Sequence, residues 1–176
     1  MEKWDVYDIN RIKTGKTAER GWDDFLPGEY RMVVHVCIFN SKNEMLIQQR
    51  QNFKAGWPNM WDITVGGHSI AGETSQQVVQ RELFEELGYH VDFTDIRPYF
   101  TINFGMGFDD YYIVKADINI EELKLQKEEV QQVRWASKAE ILAMIENNEF
   151  IPYYRSLIGL LFDMQNNYGS HMEKKF

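Results

Sequence analysis

The segment GGHSIAGETSQQVVQRELFEELGY, residues 66–89, collects one arginine and three glutamates within six positions and has glycines on both sides. It predicts a helix over residues 75–87, because Thr74 can cap the start and Gly88 can end it in the left-handed conformation that glycine favours. Along this helix, apolar side chains recur every four residues and form a stripe that can pack on a sheet. The stripe consists of Val79, Leu83 and Leu87.

The three glutamates, Glu82, Glu85 and Glu86, fall within an arc of about 100° beside that stripe. Carboxylates three and four residues apart repel one another, and the repulsion grows when the helix packs close to a core. A divalent cation between them reverses the sign of the interaction. Carboxylate oxygens suit Mg²⁺ or Mn²⁺, whereas the segment has no Cys and His set for zinc. A solvated acidic helix face is the alternative interpretation of the same residues.

Other residues of the segment can support such a site. Arg81 lies four residues before Glu85 and can hold that carboxylate in a salt bridge. We expect Gly66 and Gly67 to turn the backbone tightly after a strand and to bring it close to a ligand. A carbonyl freed at that turn can act as a metal ligand.

The rest of the chain alternates strand patterns with helix patterns. Residues 3–20 predict a hairpin whose turn lies near KTGK, residues 13–16. The predicted strands of the main sheet are 31–40, 45–50, 61–67 (ending at the two glycines), 90–102, 110–118 and 129–135. The predicted helices after the first are 138–148, which Ser137 opens, and 153–167, which follows Pro152. This order predicts an α+β fold in which helices sandwich a mixed β-sheet.

Length and composition favour one globular domain over residues 1–176, with a hairpin extension at 1–29 and a flexible tail at 167–176. The formal net charge of -8 disfavours broad nucleic-acid binding. The single cysteine, Cys37, excludes an internal disulfide and is expected as a buried thiol on a strand. No run reaches the roughly 20 apolar residues of a membrane span, and the N-terminus lacks a signal-peptide pattern. We therefore expect a cytoplasmic protein that does not enter membranes.

The spacing of the acidic segment resembles the Nudix box, which is Gly, five residues, Glu, seven residues, Arg-Glu, an apolar residue, any residue, Glu-Glu, any residue and Gly. The matching residues are Gly67, Glu73, Arg81, Glu82, Leu83, Glu85, Glu86 and Gly88. Tyr89 stands where the family usually has an aliphatic residue. The resemblance implies the Nudix fold, an α/β/α sandwich, and Mg²⁺- or Mn²⁺-dependent hydrolysis of a diphosphate linked to another moiety.

By this resemblance, the metal ligands are the carboxylates of Glu82, Glu85 and Glu86 together with the Gly66 carbonyl. Arg81 then orients the carboxylates, and Glu73 supports the geometry of the loop and the helix. The metal neutralises the diphosphate charge and lowers the pKa of a bound water that attacks phosphorus.

The general base in this family often comes from a glutamate on a later loop, and QKEEVQQVRW, residues 126–135, fits that place. Glu129 is the first candidate and Glu128 the second, with two solvated loop acids as the alternative interpretation. Asp109 and Asp110 are weaker candidates.

A closer resemblance, over most of the chain, is to the isopentenyl-diphosphate-isomerase-like branch of the Nudix proteins. It rests on WDVYDINRIKTGKTAERG, VHVCIFNSKNEMLIQQR, KAGWPNMWD and GGHSIAGET. True isomerases carry a catalytic cysteine where this chain has Gly66, and a metal-binding histidine where it has Arg31, with His35 four residues later. Cys37 lies on a different strand and does not replace that cysteine. The complete hydrolase box therefore favours hydrolysis over isomerisation.

Several further residues match isomerase positions or surround the predicted site. Arg50 and Lys54 match the basic pair that grips diphosphate, with an exposed strand end as the alternative. His68 matches a metal-ligand position but is expected to be a hydrogen-bonded loop residue. Five aromatic residues can stack on a ligand or pack in the core, and core packing is favoured for most of them. They are Trp57, Trp61, Phe104, Tyr111 and Tyr112.

Three functions are consistent with these patterns. The leading one is a Nudix hydrolase acting on a small-molecule diphosphate, the second is an isopentenyl diphosphate isomerase, and the third is a noncatalytic module that binds a nucleotide-like effector. The intact glutamates disfavour the third, because a binding module does not require them. A homodimer through the N-terminal hairpin is a further possibility that the sequence allows.

Overall fold

The computed structural model describes residues 2–20 and 25–171. Its strands are β1 (Lys3–Tyr7), β2 (Lys13–Glu19), β3 (Arg31–Phe39), β4 (Met45–Arg50), β5 (Trp61–Asp62), β6 (Val65–His68), β7 (Phe100–Phe104), β8 (Gly107–Lys115) and β9 (Val130–Ala136). Its helices are α1 (Ser75–Leu87), α2 (Lys138–Glu146) and α3 (Arg155–Met164), with a 3₁₀ turn at Ile120–Glu122. None of the helices in this part of the chain has the length and hydropathy that a membrane span requires.

Seven strands form one mixed sheet, and β1 pairs with β2 in a separate antiparallel hairpin. The order along the main sheet is β5-β4-β3-β8-β7, with β6 also paired to β3 and β9 to β4. The β3–β8 pair is parallel, and the other pairs are antiparallel. Because β3 and β4 pair at Phe39 and Met45, the rest of the β3 edge is open to β6, which brings residues 65–68 beside residues 33–36.

Helices cover both faces of this sheet because the apolar residues of β3 alternate between two cores. Val34 and Val36 pack in the cluster under α1. Cys37 and Phe39 pack in the cluster under α2 and α3. The predicted α+β fold with an α/β/α sandwich is confirmed, and so is the expectation that the Cys37 thiol is buried on a strand.

Helix α1 has the boundaries that the sequence predicts. Thr74 caps its start in a reciprocal arrangement with Gln77, and Gly88 ends it with φ of 63° while its N–H donates to the Phe84 carbonyl. The predicted apolar stripe of this helix is fully buried against the sheet. The cap, the stripe and the terminating glycine therefore act together to fix where the acidic face lies.

The N-terminal hairpin is confirmed, but its turn is not at residues 13–16, which lie within β2. The turn spans residues 8–12, because the Asp8 carboxylate accepts hydrogen bonds from the backbone N–H groups of Asn10 and Ile12 at 2.9 Å each. Arg11 takes the left-handed position of this turn with φ of 62°. Residues 1 and 21–24 of the predicted extension lie outside the described part of the chain.

Two strand predictions in the middle of the chain were wrong in their bounds. The strand expected from residue 90 begins only at Phe100, because Asp92 Oδ1 accepts from the Thr94 N–H at 2.9 Å and closes a local turn instead. The strand expected over 110–118 spans Gly107–Lys115. It ends earlier because Asp117 has left the sheet and accepts from the Ser41 N–H at 2.8 Å.

The strand expected over 61–67 is two strands, and Gly66 and Gly67 lie inside β6 rather than at a turn after it. The break falls at residues 63–64, where Asp62 Oδ1 accepts from the Ile63 N–H and the Thr64 hydroxyl donates to the Leu46 carbonyl. The two glycines instead pair with Val34 and His35 of β3.

The C-terminal helices follow the sequence pattern closely. Ser137 caps α2 together with Glu140 as predicted. Helix α3 begins at Arg155, two residues after the predicted start. The tail expected at 167–176 lies beyond α3, and its residues 172–176 are outside the described part of the chain.

Candidate active site

A cleft of about 490 Å³ lies where the N-terminal hairpin, β6, α1 and the loop before β9 meet. We call it the carboxylate cleft. Its charged lining residues are the acids Glu2, Glu82, Glu85, Glu86 and Glu129 and the bases Arg20, Arg50, Lys54 and Arg81. A second cleft, of about 670 Å³, lies on the outer side of α1, but no acidic residue lines it. The carboxylate cleft is therefore the one that gathers the predicted site residues.

The glycines of strand β6 have no room for a side chain, because Gly67 lies against α1 and Gly66 lies against β3. A Cβ built at Gly67 would lie 2.1 Å from Cδ of Glu82, and one at Gly66 would lie 2.7 Å from Nδ1 of His35. The expected close approach of this backbone is present, but it occurs within a strand. Both glycines line the cleft.

Arg81 forms hydrogen bonds with three of the predicted acidic residues, Glu73, Glu82 and Glu85. Its guanidinium donates to both oxygens of Glu73, at 2.7 and 3.0 Å, and to the His68 carbonyl at 3.0 Å. Its Nη1 reaches Glu82 at 2.9 Å and Glu85 at 3.0 Å, so the expected pair with Glu85 is present. Glu73 in turn accepts from the Ile70 N–H at 2.9 Å. Arg81 and Glu73 therefore connect the loop after β6 to the acidic face of α1.

Glu86 is the most deeply placed of the three helix carboxylates, with 6% of its surface exposed. Its Oε2 accepts from the side-chain amide of Gln48, on β4, at 2.9 Å. Its backbone carbonyl accepts from the Gln126 N–H at 2.9 Å. This last contact docks the loop before β9 onto the end of α1.

Burial raises the affinity of these carboxylates for protons. Burial, with a contribution from Glu85, raises the pKa of Glu82 to about 7, although Arg81 opposes the change. Burial and the charge of Glu82 raise the pKa of Glu86 well above its usual range. For Arg81, burial lowers the pKa, but the hydrogen bond to Glu73 and the charge of Glu82 outweigh it and raise the pKa. Two carboxylates with raised pKa values, Glu82 and Glu86, thus line the cleft, and the Arg81 guanidinium partly compensates the charge of Glu82.

The predicted basic pair, Arg50 and Lys54, and the first candidate for the general base, Glu129, line the same cleft. Lys54 Nζ is 2.5 Å from Glu129 Oε2. Arg50 Nε donates to the Gly56 carbonyl at 3.1 Å, and Arg50 Nη1 lies 3.9 Å from Asp62 Oδ2. Glu128, the second candidate, is exposed and does not line the cleft.

The remaining predicted acids lie elsewhere. Asp109 is 3.1 Å from His35 Nε2 on the face of the sheet that carries α3. Asp110 is 1% exposed and accepts hydrogen bonds from Arg11 and Ser75 at 2.8 and 2.7 Å. Both are structural partners of neighbouring side chains, and neither lines the carboxylate cleft.

The five aromatic candidates also stay outside the lining of the carboxylate cleft. Tyr111 and Tyr112 are core residues, and Phe104 packs against the Arg31 guanidinium at 5.6 Å. Trp61 packs under the Arg134 guanidinium at 5.2 Å, while Trp57 is half exposed. These aromatic residues pack in the core or on the surface and do not line this cleft, where they could stack on a ligand.

The residues at the isomerase positions have other partners. The His68 ring stacks on Trp4 at 4.8 Å, and burial lowers the pKa of His68 to about 4. The Arg31 guanidinium lies 5.0 Å from the same Trp4 ring. Cys37 is fully buried, and burial raises the pKa of its thiol well above the usual range. The isomerase reaction would need a cysteine thiolate at position 66, and none of these residues supplies one in its place.

The donor set of the cleft fits a hard divalent cation. The like-charged carboxylates of Glu86, which is buried, and Glu82, which is half-buried, destabilise each other unless a cation or protons intervene. Carboxylate and carbonyl oxygens are the ligands that Mg²⁺ and Mn²⁺ prefer. Within residues 2–20 and 25–171, no three His, Cys, Asp or Glu side chains are already grouped at metal-binding distances. The carboxylates instead contact Arg81 and Gln48.

The sequence did not reveal Glu2, Arg20, Gln48 or Gln126 as residues of this region. Glu2 and Arg20 form a 2.8 Å ion pair at the base of the hairpin and line the cleft. Their approach depends on how the hairpin packs, which no local pattern reports. One feature of the sequence could have identified Gln48: its amide directly follows the apolar residues MLI of β4.

Comparison with known proteins agrees with this site. The sequence profile of the NUDIX domain family matches residues 29–156. An uncharacterized Nudix hydrolase of Listeria monocytogenes is 46% identical over 166 residues, covering 94% of this chain and 96% of that protein. An isopentenyl-diphosphate delta-isomerase of Saccharopolyspora erythraea is 30% identical over 139 residues, covering 74% and 71%. The crystal structure of DR0079 from Deinococcus radiodurans has a TM-score of 0.75 at 22% identity, covering 91% and 99%, and shows the same fold.

The chain belongs to the Nudix family. Within that family it is a pyrophosphohydrolase, a hydrolase acting on phosphorus-containing acid anhydrides. Enzymes of the family generally use divalent metal ions and act on small-molecule diphosphates. The hydrolase relatives match more of the chain, at higher identity, than the isomerase does.

Proposed function

We propose that this Nudix hydrolase depends on Mg²⁺ or Mn²⁺ and cleaves the diphosphate linkage of a small nucleoside-diphosphate-like or other organic diphosphate by attack of water on phosphorus. One observation supports the proposal most strongly. Glu86, which is 6% exposed, and Glu82, whose side chain is 14% exposed, line the same cleft as the basic residues Arg50 and Lys54. A cleft that combines carboxylates with basic side chains suits a metal-bound diphosphate.

In this proposal, the metal would be held by the carboxylates of Glu82, Glu85 and Glu86 and by the Gly66 carbonyl. When bound, it would neutralise diphosphate charge and lower the pKa of a coordinated water. Arg81 keeps the carboxylates in place through the contacts described above.

The basic residues and Glu129 act on the substrate and the water. Arg50 and Lys54 bind the diphosphate oxygens, and Glu129 accepts a proton from the attacking water. An oxygen–phosphorus bond to water forms while the bond to the bridging oxygen breaks, and the bridging oxygen leaves with the second product. The arrangement in the cleft is consistent with these roles because Glu129 and Lys54 line the same cleft as the three glutamates.

A substrate screen tests the proposal. Nucleoside di- and triphosphates, nucleotide sugars, coenzyme A, dinucleotides and prenyl diphosphates are incubated with Mg²⁺ or Mn²⁺ in ¹⁸O-labelled water. We expect phosphorus-31 NMR and mass spectrometry to show cleavage with label on phosphorus. Glu86→Gln should remove most of that activity while circular dichroism shows an intact fold, and the exposed Glu121→Gln should retain it.

Two outcomes would contradict the proposal. Conversion of isopentenyl diphosphate into its allylic isomer without phosphate release would indicate an isomerase. Tight nucleotide binding without turnover of any compound would indicate a noncatalytic module.

We propose in addition that residues 1–176 form one domain, with residues 1–29 as a hairpin extension, and that the protein lies in the cytoplasm. A homodimer stays a prediction that sedimentation can check.

A further inference from the structure

Gln48 is a polar residue in the most apolar part of β4. The three residues before it, Met45, Leu46 and Ile47, are fully buried, and Gln48 itself is 3% exposed. Its neighbour of the same strand parity, Leu46, packs in the core under α1. A leucine or methionine at position 48 would match this environment in size and polarity.

The two ends of the Gln48 amide have different surroundings. Nε2 donates to Oε2 of Glu86 at 2.9 Å, across the interface between β4 and α1. Oε1 is buried and has no hydrogen-bond partner among the described residues. The amide thus satisfies the carboxylate while its own acceptor stays unsatisfied.

This arrangement costs stability. An unsatisfied buried acceptor destabilises the folded state, whereas an apolar residue of the same shape carries no such cost. Packing alone therefore does not explain a glutamine here. The contact that does distinguish it from leucine is the one to Glu86, a residue of the carboxylate cleft.

We propose that Gln48 is a positioning residue that fixes the Glu86 carboxylate for metal binding. The inference rests on the proposed metal-dependent function of the cleft. Helix α1 fixes the position of the Glu86 Cα but not the orientation of its carboxylate. The Gln48 amide fixes that orientation because it donates to Oε2 from the side of the sheet. Partners that orient a ligand in this way commonly change metal affinity by about 10- to 100-fold when removed.

Gln48→Leu tests the inference through metal affinity, independently of turnover. We expect calorimetric titration with Mn²⁺ to give a dissociation constant about 10- to 100-fold higher than for the wild-type protein. The thermal midpoint of the metal-free variant should change little, because removal of the unsatisfied oxygen offsets loss of the donor to the buried Glu86 carboxylate. Gln49→Leu is the matched control, because the Gln49 side chain bonds to the Asn59 carbonyl instead and should leave the Mn²⁺ affinity unchanged.

A double-mutant cycle separates action through Glu86 from a general effect. If Gln48 acts through that carboxylate, adding Gln48→Leu to Glu86→Gln should weaken Mn²⁺ binding by less than about twofold further. An effect as large as in the wild-type background would overturn the inference. Gln48→Met serves as a second donor-free variant should the leucine variant fold poorly.

The outcomes also separate this inference from the proposed function. Unchanged Mn²⁺ affinity in a folded Gln48→Leu or Gln48→Met protein, alongside wild-type turnover of diphosphates, would overturn the role of Gln48 alone. A lower thermal midpoint with unchanged affinity would likewise show a purely structural residue. Absence of any wild-type turnover would contradict the proposed function, whereas weakened Mn²⁺ binding in the variant would still support the positioning role.

Discussion

The backbone of Gly67 in β6 packs directly against the side chain of Glu82 in α1. A Cβ built at position 67 would come within 2.1 Å of Cδ and 2.3 Å of Oε1 of that glutamate. The glycine of the Nudix box therefore serves here as a contact surface inside a strand. It lets a sheet and a helix approach closely enough to bury an acidic side chain between them.

Gly67→Ala should displace the Glu82 side chain while leaving the fold intact, because the obstructing atoms belong to a side chain and not to backbone. We expect Mn²⁺ affinity and turnover each to fall by about tenfold or more, because Glu82 is a proposed metal ligand and would be moved out of place. Both are measured by titration and by steady-state kinetics. Gly105→Ala is the control, since no atom lies within 4 Å of a Cβ built there. Equal activity of the two variants would refute the importance of the contact.

The acidic helix could be predicted from sequence because its determinants are local. Thr74, Gly88 and the four-residue apolar repeat lie within or beside the helix and act through neighbouring residues. The loop at residues 90–99 was mistaken for a strand because the Asp92 turn competes with an apolar pattern that strands also show. Local sequence signals therefore predict the bounds of the helix more accurately than those of the segments around it.

The support of the site was less predictable because it depends on long-range contacts. Gln48 meets Glu86 across 38 positions of the chain, and Arg20 reaches the cleft through the packing of a hairpin. The expected turn at Gly66 was wrong for the same reason. Pairing with β3, which periodicity does not reveal, keeps both glycines in a strand.

Lys54→Ala should raise KM more than it lowers kcat, because we expect Lys54 to bind diphosphate similarly in the ground state and the transition state. Steady-state kinetics with the best substrate of the screen provide the measurement. Lys42→Ala, at an exposed position between β3 and β4, should leave both constants unchanged. An unchanged KM for Lys54→Ala would argue against a phosphate contact. A fall in kcat alone would instead indicate that Lys54 acts by holding Glu129, its 2.5 Å partner.

Glu129→Gln should lower kcat by about 10²- to 10⁴-fold with little change in KM, the range expected for loss of a general base. Glu128→Gln is the matched control, because its side chain is exposed on the same loop and does not line the cleft. Activity is compared at saturating Mn²⁺ so that a change in metal affinity does not contribute. Comparable losses in both variants, or no loss in Glu129→Gln, would remove Glu129 from this role.

The metal-free protein should become less stable as pH rises from about 5 to 8, and Glu82 should account for much of the change. Burial raises the pKa of this carboxyl from 4.5 to about 7, so the folded state binds more protons than the unfolded state in this range. The stability that this carboxyl contributes is therefore fully present at low pH and is lost as the group ionises, by about 3 kcal/mol in total.

Urea unfolding of wild-type and Glu82→Gln protein in the presence of a chelator measures this difference. The variant should show a shallower loss of stability with pH, because an amide does not ionise. Glu85→Gln, at a side chain that is 46% exposed, provides the comparison at the same helix face. Identical slopes for wild type and Glu82→Gln would contradict the assignment. Saturating Mn²⁺ should reverse the trend in the wild-type protein, because a divalent cation binds the ionised carboxylate and stabilises the folded state more as pH rises.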